Sequence, residues 1–240
     1  MDFMKAFDTV PHKRLNIKLK GYGIIGNIGK WIEGFLSNRK QRVNIEGSKS
    51  NWSSVVSGVP QGSVFGPVLF CLYINDLPSN VLSDIYLFAD DTKMFRKVSS
   101  NEDAQLFQND INKLLSWSKT WLLKFHPEKC KIMSIGYNTI LYRFTMQKDD
   151  NDTVDLQEIS NECDLGVTVD SKLKFKAHIQ NKVNRANNIM GAIRRAFTFL
   201  DNENFKHIFK ALVRPHVEYA ACVWNPRLKI DWEILENVQR

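Results

Sequence analysis

Two adjacent carboxylates, Asp90 and Asp91, follow an apolar run over residues 85–89 and precede a second short apolar stretch. Neighbouring side chains in a strand point to opposite faces, so the pair reaches one point only where a turn reorients the chain. A strand, a tight turn and a return strand over residues 84–98 would do this. An ordinary solvated turn is the alternative, because most such pairs are simply exposed.

A divalent metal ion would offset the repulsion between these carboxylates, and a metal site needs a further carboxylate from another segment. The sequence offers Asp2 and Asp8, both near the start of the chain. Three carboxylates gathered from two strand ends suit two Mg²⁺ ions, because Mg²⁺ prefers oxygen ligands. Two such ions would stabilise the attacking and the leaving oxygen of a phosphoryl transfer.

The segments around these carboxylates include apolar patterns typical of helices and others typical of strands. An apolar helix is predicted over residues 64–74, and a second helix is predicted to begin at a capping box formed by Ser99 and Glu102. Alternation over residues 41–45 and a second run over residues 52–59 predict a hairpin.

The second half of the chain divides into two kinds of pattern. Residues 131–135 and 143–146 predict short strands, and the acidic run over residues 149–152 predicts an exposed turn. From about residue 173 two long apolar stripes at helical spacing follow, and Pro215 should end or kink the second helix. The sequence therefore predicts a mixed helix-and-strand body followed by a helical unit.

Length and charge narrow the class of protein. The 240 residues are 43% hydrophobic, which is enough for a core in two packed units. Residues 172–240 hold 13 basic and six acidic side chains and carry the entire net charge of +7, while residues 1–171 hold 20 of each. A basic segment on a neutral body favours a polyanionic partner, nucleic acid before membrane, over a merely solvated helical face.

Cysteine spacing and hydropathy argue against several other classes. Cys71, Cys130, Cys163 and Cys222 are widely scattered, so neither a zinc site nor a disulfide framework is predicted. The N-terminus lacks the layout of a signal peptide, and no run approaches the roughly 18 apolar residues of a membrane span. We therefore expect an intracellular protein of the cytoplasm or nucleus with reduced thiols and no membrane partner.

Five motifs occur together in one order and spacing. They are DFMKAFDTV (2–10), SGVPQGSVFGPVLF (57–70), LFADDTK (87–93), FHPEKCKIM (125–133) and DLGVTVDSKLKFKAHI (164–179). With these motifs and the linking phrases FLSNRKQRV and LYINDLP, the chain resembles a non-LTR retrotransposon reverse transcriptase of the jockey-like, LINE type, an RNA-directed DNA polymerase. The resemblance runs from residue 2 to about residue 226.

The resemblance implies a fold class and a division of the chain. The fold would be α+β, with a reverse-transcriptase palm (an antiparallel sheet with packed helices) followed by a helical thumb-like unit. Residues 1–170 would form the palm with a remnant of the fingers, and residues 171–240 the thumb-like region. The implied partners are an RNA template, a DNA primer and deoxynucleoside triphosphates, and the implied cofactor is Mg²⁺, with two ions.

The resemblance also assigns the catalytic roles. Asp2, Asp90 and Asp91 would be catalytic residues and would hold the metal. The lysine that protonates the pyrophosphate leaving group would be Lys129 or Lys131, of which we favour Lys129.

Further residues would bind the substrates. Phe7 would exclude a ribose 2′-hydroxyl, although a plain core aromatic explains its position as well. Gln61 and Gly62 would contact the nucleotide. Leu165 and Gly166 resemble the grip that holds the primer end. Four basic residues lie off the apolar stripe of the thumb-like helix and would follow phosphates: Lys182, Arg185, Arg194 and Arg195.

The chain departs from the family pattern at its start. In the family, the aspartate that corresponds to Asp2 ends a strand that follows a whole fingers region, so the resemblance predicts an N-terminally truncated retroelement product. Phe65 and Cys163 stand where a leucine and a lysine are usual. The survival of all three carboxylates favours a polymerase. The alternative is a chain inactivated by loss of the fingers, a non-catalytic remnant that binds nucleic acid.

Overall fold

The computed structural model describes residues 1–136, 142–148 and 152–238, which fall into two compact units. The first unit comprises Met1–Ile132 and Ile140–Gln157, and the second comprises Met133–Thr139 and Glu158–Arg240. The division lies near residue 158, ahead of two strands that the expected palm, residues 1–170, would include. The assignment of the units as palm and thumb stays a prediction.

The described part of the first unit contains five α-helices. Their bounds are α1 (Ala6–Thr9), α2 (His12–Gly21), α3 (Gly26–Leu36), α4 (Phe65–Ile74) and α5 (Asn101–Trp121). The helix predicted over residues 64–74 is thereby confirmed. Two short 3₁₀ helices, Leu77–Asn80 and Pro127–Lys129, connect these elements to the strands that follow them.

The capping box of α5 lies one residue later than predicted. Ser100 accepts a hydrogen bond from the backbone N–H of Asp103 at 3.2 Å, and the Asp103 carboxylate accepts from the N–H groups of Ser99 and Ser100. The prediction of Ser99 with Glu102 was wrong because the sequence holds two overlapping patterns of the same kind. Only the later pattern brings one carboxylate within reach of two otherwise unpaired donors.

The strands are short and pair in antiparallel ladders. The pairs are β1 (Lys40–Gln41) with β4 (Ser53–Ser54), β2 (Asn44–Ile45) with β3 (Ser48–Lys49), β5 (Asp84–Phe88) with β6 (Asp91–Phe95), β8 (Thr145–Gln147) with β9 (Thr153–Asp155), and β11 (Asn161–Asp164) with β12 (Val167–Asp170). The remaining described strands are β7 (Lys131–Ile132) and β10 (Gln157–Glu158).

These strands confirm the predicted hairpins but correct several bounds. The run over residues 52–59 is a strand only at β4, and the run over residues 131–135 only at β7. The strand expected at residues 143–146 lies instead at Thr145–Gln147. Of the turn predicted over residues 149–152, only the last residue is among those described.

An ion pair between a buried lysine and a partly exposed aspartate lies in the first unit. Lys18 on α2 pairs with the carboxylate of Asp76, and its Nζ also donates to the Tyr73 carbonyl at 2.5 Å. The ammonium lies 4.0 Å from the ring centroid of Trp121 and 4.6 Å from that of Trp117. Burial lowers the pKa of Lys18, and the hydrogen bond to Asp76 opposes this shift. Through these contacts Lys18 connects α2 to α4, which carries Tyr73, and to α5, which carries Trp117 and Trp121.

The second unit is mainly helical. Its helices are α6 (Lys176–Ala196), α7 (Asn202–Ile208), α8 (Arg214–Glu218), α9 (Ala221–Trp224) and α10 (Lys229–Glu236). A π-helical segment, Phe209–Val213, separates α7 from α8, and Pro215 lies in the first turn of α8. The predicted interruption at Pro215 is confirmed, because proline removes a backbone donor and helices tolerate it mainly in their first turn.

Both units bury their own apolar cluster. The cluster of the first unit is formed by α2, α4, α5 and the inner faces of the strands, and that of the second by α6, α8 and neighbouring turns. All four cysteines carry free thiols in this structure. Among the described helices, none combines the length and the hydropathy needed to cross a membrane.

Candidate active site and nucleic-acid surface

The β5–β6 hairpin presents the two adjacent carboxylates. Phe88 pairs with Asp91, so Ala89 and Asp90 form a two-residue turn, and Ala89 has a positive φ of 52°. Glycine usually occupies such a position, since a Cβ makes this backbone conformation costly. Thr92 is only 1% exposed on the core side, and the alternation of side chains therefore directs Asp91 to the outer face. The hairpin that the sequence predicts is confirmed, with Asp90 in its turn and Asp91 at the start of β6.

The segment that carries Asp2 lies beside this hairpin. The Met1 nitrogen donates to the carbonyl of Thr92 at 2.7 Å, and Phe3 forms an antiparallel bridge with Phe125. Phe3 is 4% exposed and stacks on Phe125 within the same core cluster that covers the inner face of the hairpin. Asp2 lies between Met1, which binds the hairpin, and the buried Phe3, and its side chain is 41% exposed.

Lys129 lies next to Asp2. Its Nζ is 3.7 Å from Oδ2 of Asp2, and the two side chains are 64% and 41% exposed. The 3₁₀ turn that carries the lysine is held by the backbone of Asp2, whose carbonyl accepts from the His126 N–H at 2.8 Å. The Asp2 N–H contacts the thiol of Cys130 at 3.4 Å, and burial raises the pKa of this thiol. Lys131, the other candidate lysine, lies in β7.

The donor chemistry of the site suits a hard cation, but the described side chains do not form a closed metal site. Asp2, Asp90 and Asp91 supply carboxylate oxygens, the ligands that Mg²⁺ prefers. Across the described ranges, no group of three or more His, Cys, Asp or Glu side chains lies close enough to hold a metal ion. The assignment of the three aspartates as metal ligands therefore stays a prediction.

A loop over residues 57–62 packs tightly against α1 and the residues that follow it. The Gly58 N–H donates to the Val10 carbonyl at 2.8 Å, and the Val59 N–H donates to the Phe7 carbonyl at 2.7 Å. Gly58 has a φ of 87°, and a Cβ added there would lie 2.7 Å from the Asp8 carbonyl oxygen. Glycine is therefore required at this close approach between two backbone segments.

This packing brings together two of the three predicted nucleotide-binding residues. The side-chain amide of Gln61 donates a hydrogen bond to the Asp8 carboxylate at 2.9 Å. Asp8 is the residue that follows Phe7 in the chain. The ring of Phe7 stacks on Phe70 with centroids 4.4 Å apart and is partly buried against the core. Gly62 has a φ of 81° and open space around its Cα. Asp8, which the sequence offered as a carboxylate, is here the hydrogen-bond partner of Gln61.

Leu165 and Gly166 form the turn of the β11–β12 hairpin in the second unit. Both have a positive φ, 43° and 81°, and a Cβ on Gly166 would lie 3.2 Å from a ring carbon of Tyr219. The Tyr219 hydroxyl donates to the Leu165 carbonyl at 2.9 Å, and Lys182 Nζ lies 5.9 Å from the Tyr219 ring centroid. The structure thus brings Leu165, Gly166 and Lys182 together around one tyrosine.

The predicted basic residues of α6 have different surroundings. Arg185 and Arg195 are exposed, and Lys182 is partly buried. Arg194 lines a cavity of about 590 Å³, to which Lys206 and Lys210 also contribute. Sequence analysis missed these two lysines, although each follows a phenylalanine of the second apolar stripe by one residue, at positions 205 and 209.

A buried histidine, His178, also escaped sequence analysis. It is 1% exposed, and its Nδ1 accepts a hydrogen bond from the Thr168 N–H at 3.0 Å, which connects α6 to β12. Burial lowers the pKa of this imidazole, and the charge of Lys182 lowers it further. Its ring packs on Trp224 with centroids 5.2 Å apart. No spacing pattern in the sequence distinguishes this histidine from the other four.

A hairpin that carries two carboxylates, beside a segment that carries a third, offers ligands of the kind that metal-dependent phosphoryl transfer uses. The chain belongs to the reverse transcriptase (RNA-dependent DNA polymerase) family, whose pattern matches residues 1–184. This confirms the resemblance that the five motifs indicate.

Three relatives of the chain are RNA-directed DNA polymerases, or probable ones, from mobile elements of Drosophila melanogaster. The chain is 26% identical, over 94% of its length, to the probable RNA-directed DNA polymerase from transposon X-element of Drosophila melanogaster, and 28% identical, over 98%, to that from transposon BS of the same species. It is 28% identical, over 75%, to the RNA-directed DNA polymerase from mobile element jockey of D. melanogaster. The aligned region spans only 20–26% of these relatives.

Proposed function

We propose that this chain is the RNA-directed DNA polymerase domain of a non-LTR retroelement and that it transfers nucleotides with two Mg²⁺ ions. The observation that supports this best is the hydrogen bond from the Met1 nitrogen to the Thr92 carbonyl, which brings the segment of Asp2 beside the hairpin of Asp90 and Asp91. Two-metal phosphoryl transfer requires carboxylates that can hold both ions together. In this proposal the first unit is the palm and the second unit is thumb-like.

Each residue of the proposed site has its own task. Asp2, Asp90 and Asp91 would hold the metal ions, which, when bound, neutralise charge that develops on the phosphate oxygens. The primer 3′-hydroxyl would give its proton to a water molecule and form a bond to the α-phosphorus, while the bond from that phosphorus to pyrophosphate breaks and pyrophosphate leaves. Lys129 would give a proton to that leaving group, and the 3.7 Å distance from its ammonium to Asp2 supports this role.

The residues of the 57–62 loop and α1 would bind the incoming nucleotide. Phe7 would exclude a 2′-hydroxyl with its ring, which the stack on Phe70 keeps in place. Gln61 is oriented by Asp8, and Gly62 leaves room for a ligand near the backbone. A preference for deoxynucleotides over ribonucleotides would follow from this arrangement.

Primer extension tests the proposal most directly. The purified chain should extend a DNA primer on an RNA template in the presence of Mg²⁺, and Asp91→Asn should reduce the rate at least about a thousandfold, as loss of a group that stabilises transition-state charge does. Asp84→Asn is the matched control, because Asp84 lies on the same hairpin face at its opposite end. No extension by the unaltered chain, or equal losses in both variants, would contradict the proposal.

A second candidate function is nucleic-acid binding without catalysis. The cavity that Arg194, Lys206 and Lys210 line favours it, because three cations around one concave surface attract phosphates. Binding of a primer–template should then persist in Asp91→Asn and weaken in the double variant Arg194→Ala and Lys210→Ala. If extension is absent while this binding is present, the second candidate replaces the first.

A further inference from the structure

A β-structured arm, defined here as residues 39–54, extends from the end of α3 and contributes nothing to the core of the first unit. Every residue from 40 to 54 is exposed, including the large side chains of Val43, Ile45 and Trp52. The ladders β1–β4 and β2–β3 hold the arm in shape, with a two-residue turn at Glu46 and Gly47. An exposed ladder with large apolar side chains and no covering element is unusual for a surface without a partner.

The arm has two chemically different faces. Residues 40–45 run from β1 through a bridging pair of residues to β2, with Val43 paired to Ser50. Lys40 and Arg42 stand at even positions of this run and Val43 and Ile45 at odd positions, so the cations share one face and the apolar side chains share the other. The register of the two ladders differs by one residue, with Asn51 as the extra residue before Trp52. This bulge places the Trp52 ring opposite Arg42, whose guanidinium carbon lies 4.4 Å from the ring centroid.

The charge of the arm is strongly positive. It carries four cations, Arg39, Lys40, Arg42 and Lys49, and a single acid, Glu46. The first unit lies within residues 1–171, which are neutral as a whole, so the arm concentrates positive charge on a neutral body. A cationic face next to an exposed indole matches a phosphate backbone together with an unpaired base.

We propose that the cationic face of the arm binds single-stranded nucleic acid, with a base stacked on the Trp52–Arg42 pair and phosphates next to Lys40 and Lys49. The stack of guanidinium on indole fixes the orientation of both groups and gives an unpaired base a flat surface. A base inside a duplex is already stacked on its neighbours and cannot use this surface. The arm should therefore prefer unpaired strands to duplexes.

This inference rests on the proposed function only in taking nucleic acid as the partner. The arm is a separate surface that contains none of the proposed catalytic residues. Binding measured in EDTA separates the two proposals, because metal-dependent extension is then impossible while the arm remains intact. A chain that binds through the arm but extends no primer would overturn the proposed activity alone. A chain that extends primers normally with an altered arm and unaltered binding would overturn only the inference.

Fluorescence anisotropy in EDTA, with a labelled 20-nucleotide oligo(U) and a duplex of equal length, tests the arm. The double variant Trp52→Ala and Arg42→Ala should weaken binding of the single strand by about ten- to a hundredfold, as loss of a stacking platform does, and binding of the duplex by less than about threefold. Arg42→Ala alone should lower the slope of log affinity against log salt by about 0.7.

Two further variants complete the experiment. Trp52→Phe with Arg42→Lys keeps a ring and a charge and should retain single-strand affinity within about threefold of the unaltered chain. Val43→Ala with Ile45→Ala alters only the opposite face and should leave binding unchanged. Equal losses on both faces, equal losses for duplex and single strand, or no loss at all would overturn the inference. So would a change confined to the sedimentation coefficient, which would indicate that the arm contacts a second copy of the chain.

Discussion

Lys18–Asp76 and Lys129–Asp2 are two of the lysine–aspartate pairs in the first unit, and the surroundings of their lysines differ. The side chain of Lys18 is 4% exposed within a ring of aromatic residues, and its partner Asp76 also accepts from the Trp117 indole at 3.1 Å. Lys129 is 64% exposed and meets Asp2 at 3.7 Å, while the two aspartates are similarly exposed, Asp76 at 38% and Asp2 at 41%. A buried charge without its partner is costly, whereas an exposed pair contributes little to stability. The first pair therefore stabilises the fold, and the second can exchange its partner for a ligand.

The largest effect on stability should follow from breaking the pair of the buried Lys18. Asp76→Ala leaves the Lys18 ammonium without its counter-charge and should lower the free energy of unfolding by about 3 kcal/mol. Asp2→Ala should lower it by less than about 0.5 kcal/mol, since only an exposed pair is lost. Urea unfolding of both variants measures the difference. Similar losses in the two variants would show that the pairs are not of different kinds.

The next effect concerns activity. Lys129→Met should reduce kcat for primer extension by about a hundred- to ten-thousandfold, the range for loss of a general acid, without loss of stability. Lys131→Met is the matched control, because this lysine lies two residues further along the chain. A larger effect of the Lys131 variant would transfer the proposed role to that residue.

His178 is a further buried ionisable residue, and the charge that acts on it is the positive charge of Lys182. Burial lowers the pKa of this imidazole in the folded chain, so the unfolded chain binds its proton more readily. Stability from the neutral imidazole is therefore fully present above the unfolded pKa of about 6.5 and is lost as the pH falls through the folded pKa.

Chemical unfolding at pH 7.5 and 5.5 measures this loss. The slope for one proton limits it to about 1.4 kcal/mol per pH unit. His178→Gln should flatten the difference between the two pH values, because glutamine does not titrate. An unchanged pH dependence in that variant would assign the effect to other groups.

The smallest effect on stability should come from the turn formed by Ala89 and Asp90. Ala89→Gly removes the Cβ at a positive φ and should raise the free energy of unfolding by about 0.5–1 kcal/mol. The same change should not increase the extension rate, since the turn already directs the carboxylates. Differential scanning calorimetry measures the gain, and a loss of stability would mean that the alanine side chain makes compensating contacts.

The sequence was sufficient for features that depend on local pattern. The hairpin around Asp90 and Asp91, the helix over residues 64–74 and the break at Pro215 follow from periodicity, turn residues and proline chemistry. The capping box was misplaced by one residue because Ser99 and Ser100 both fit it. Strand ends were overestimated, since β-pairing depends on a partner segment that a single run of residues does not reveal.

The site was predictable only in part for the same reason. The motifs indicated Asp2, Gln61 and Lys129, but nothing in the sequence showed that Gln61 binds Asp8 or that Lys129 approaches Asp2. Lys18 looked like an ordinary helix lysine, and its burial follows from Trp117 and Trp121, about a hundred residues further along the chain. Such long-range pairings are decided by packing rather than by local pattern.

The close approach of Gly58 to Asp8 limits how this region can vary. In a library with every residue type at position 58, selected for folding, we expect glycine alone to survive, because any Cβ would push the 57–62 loop away from α1. Position 62 has open space and a φ of 81°, so asparagine should be recovered there as well as glycine. Two glycines four residues apart would thus differ completely in the variation that selection accepts.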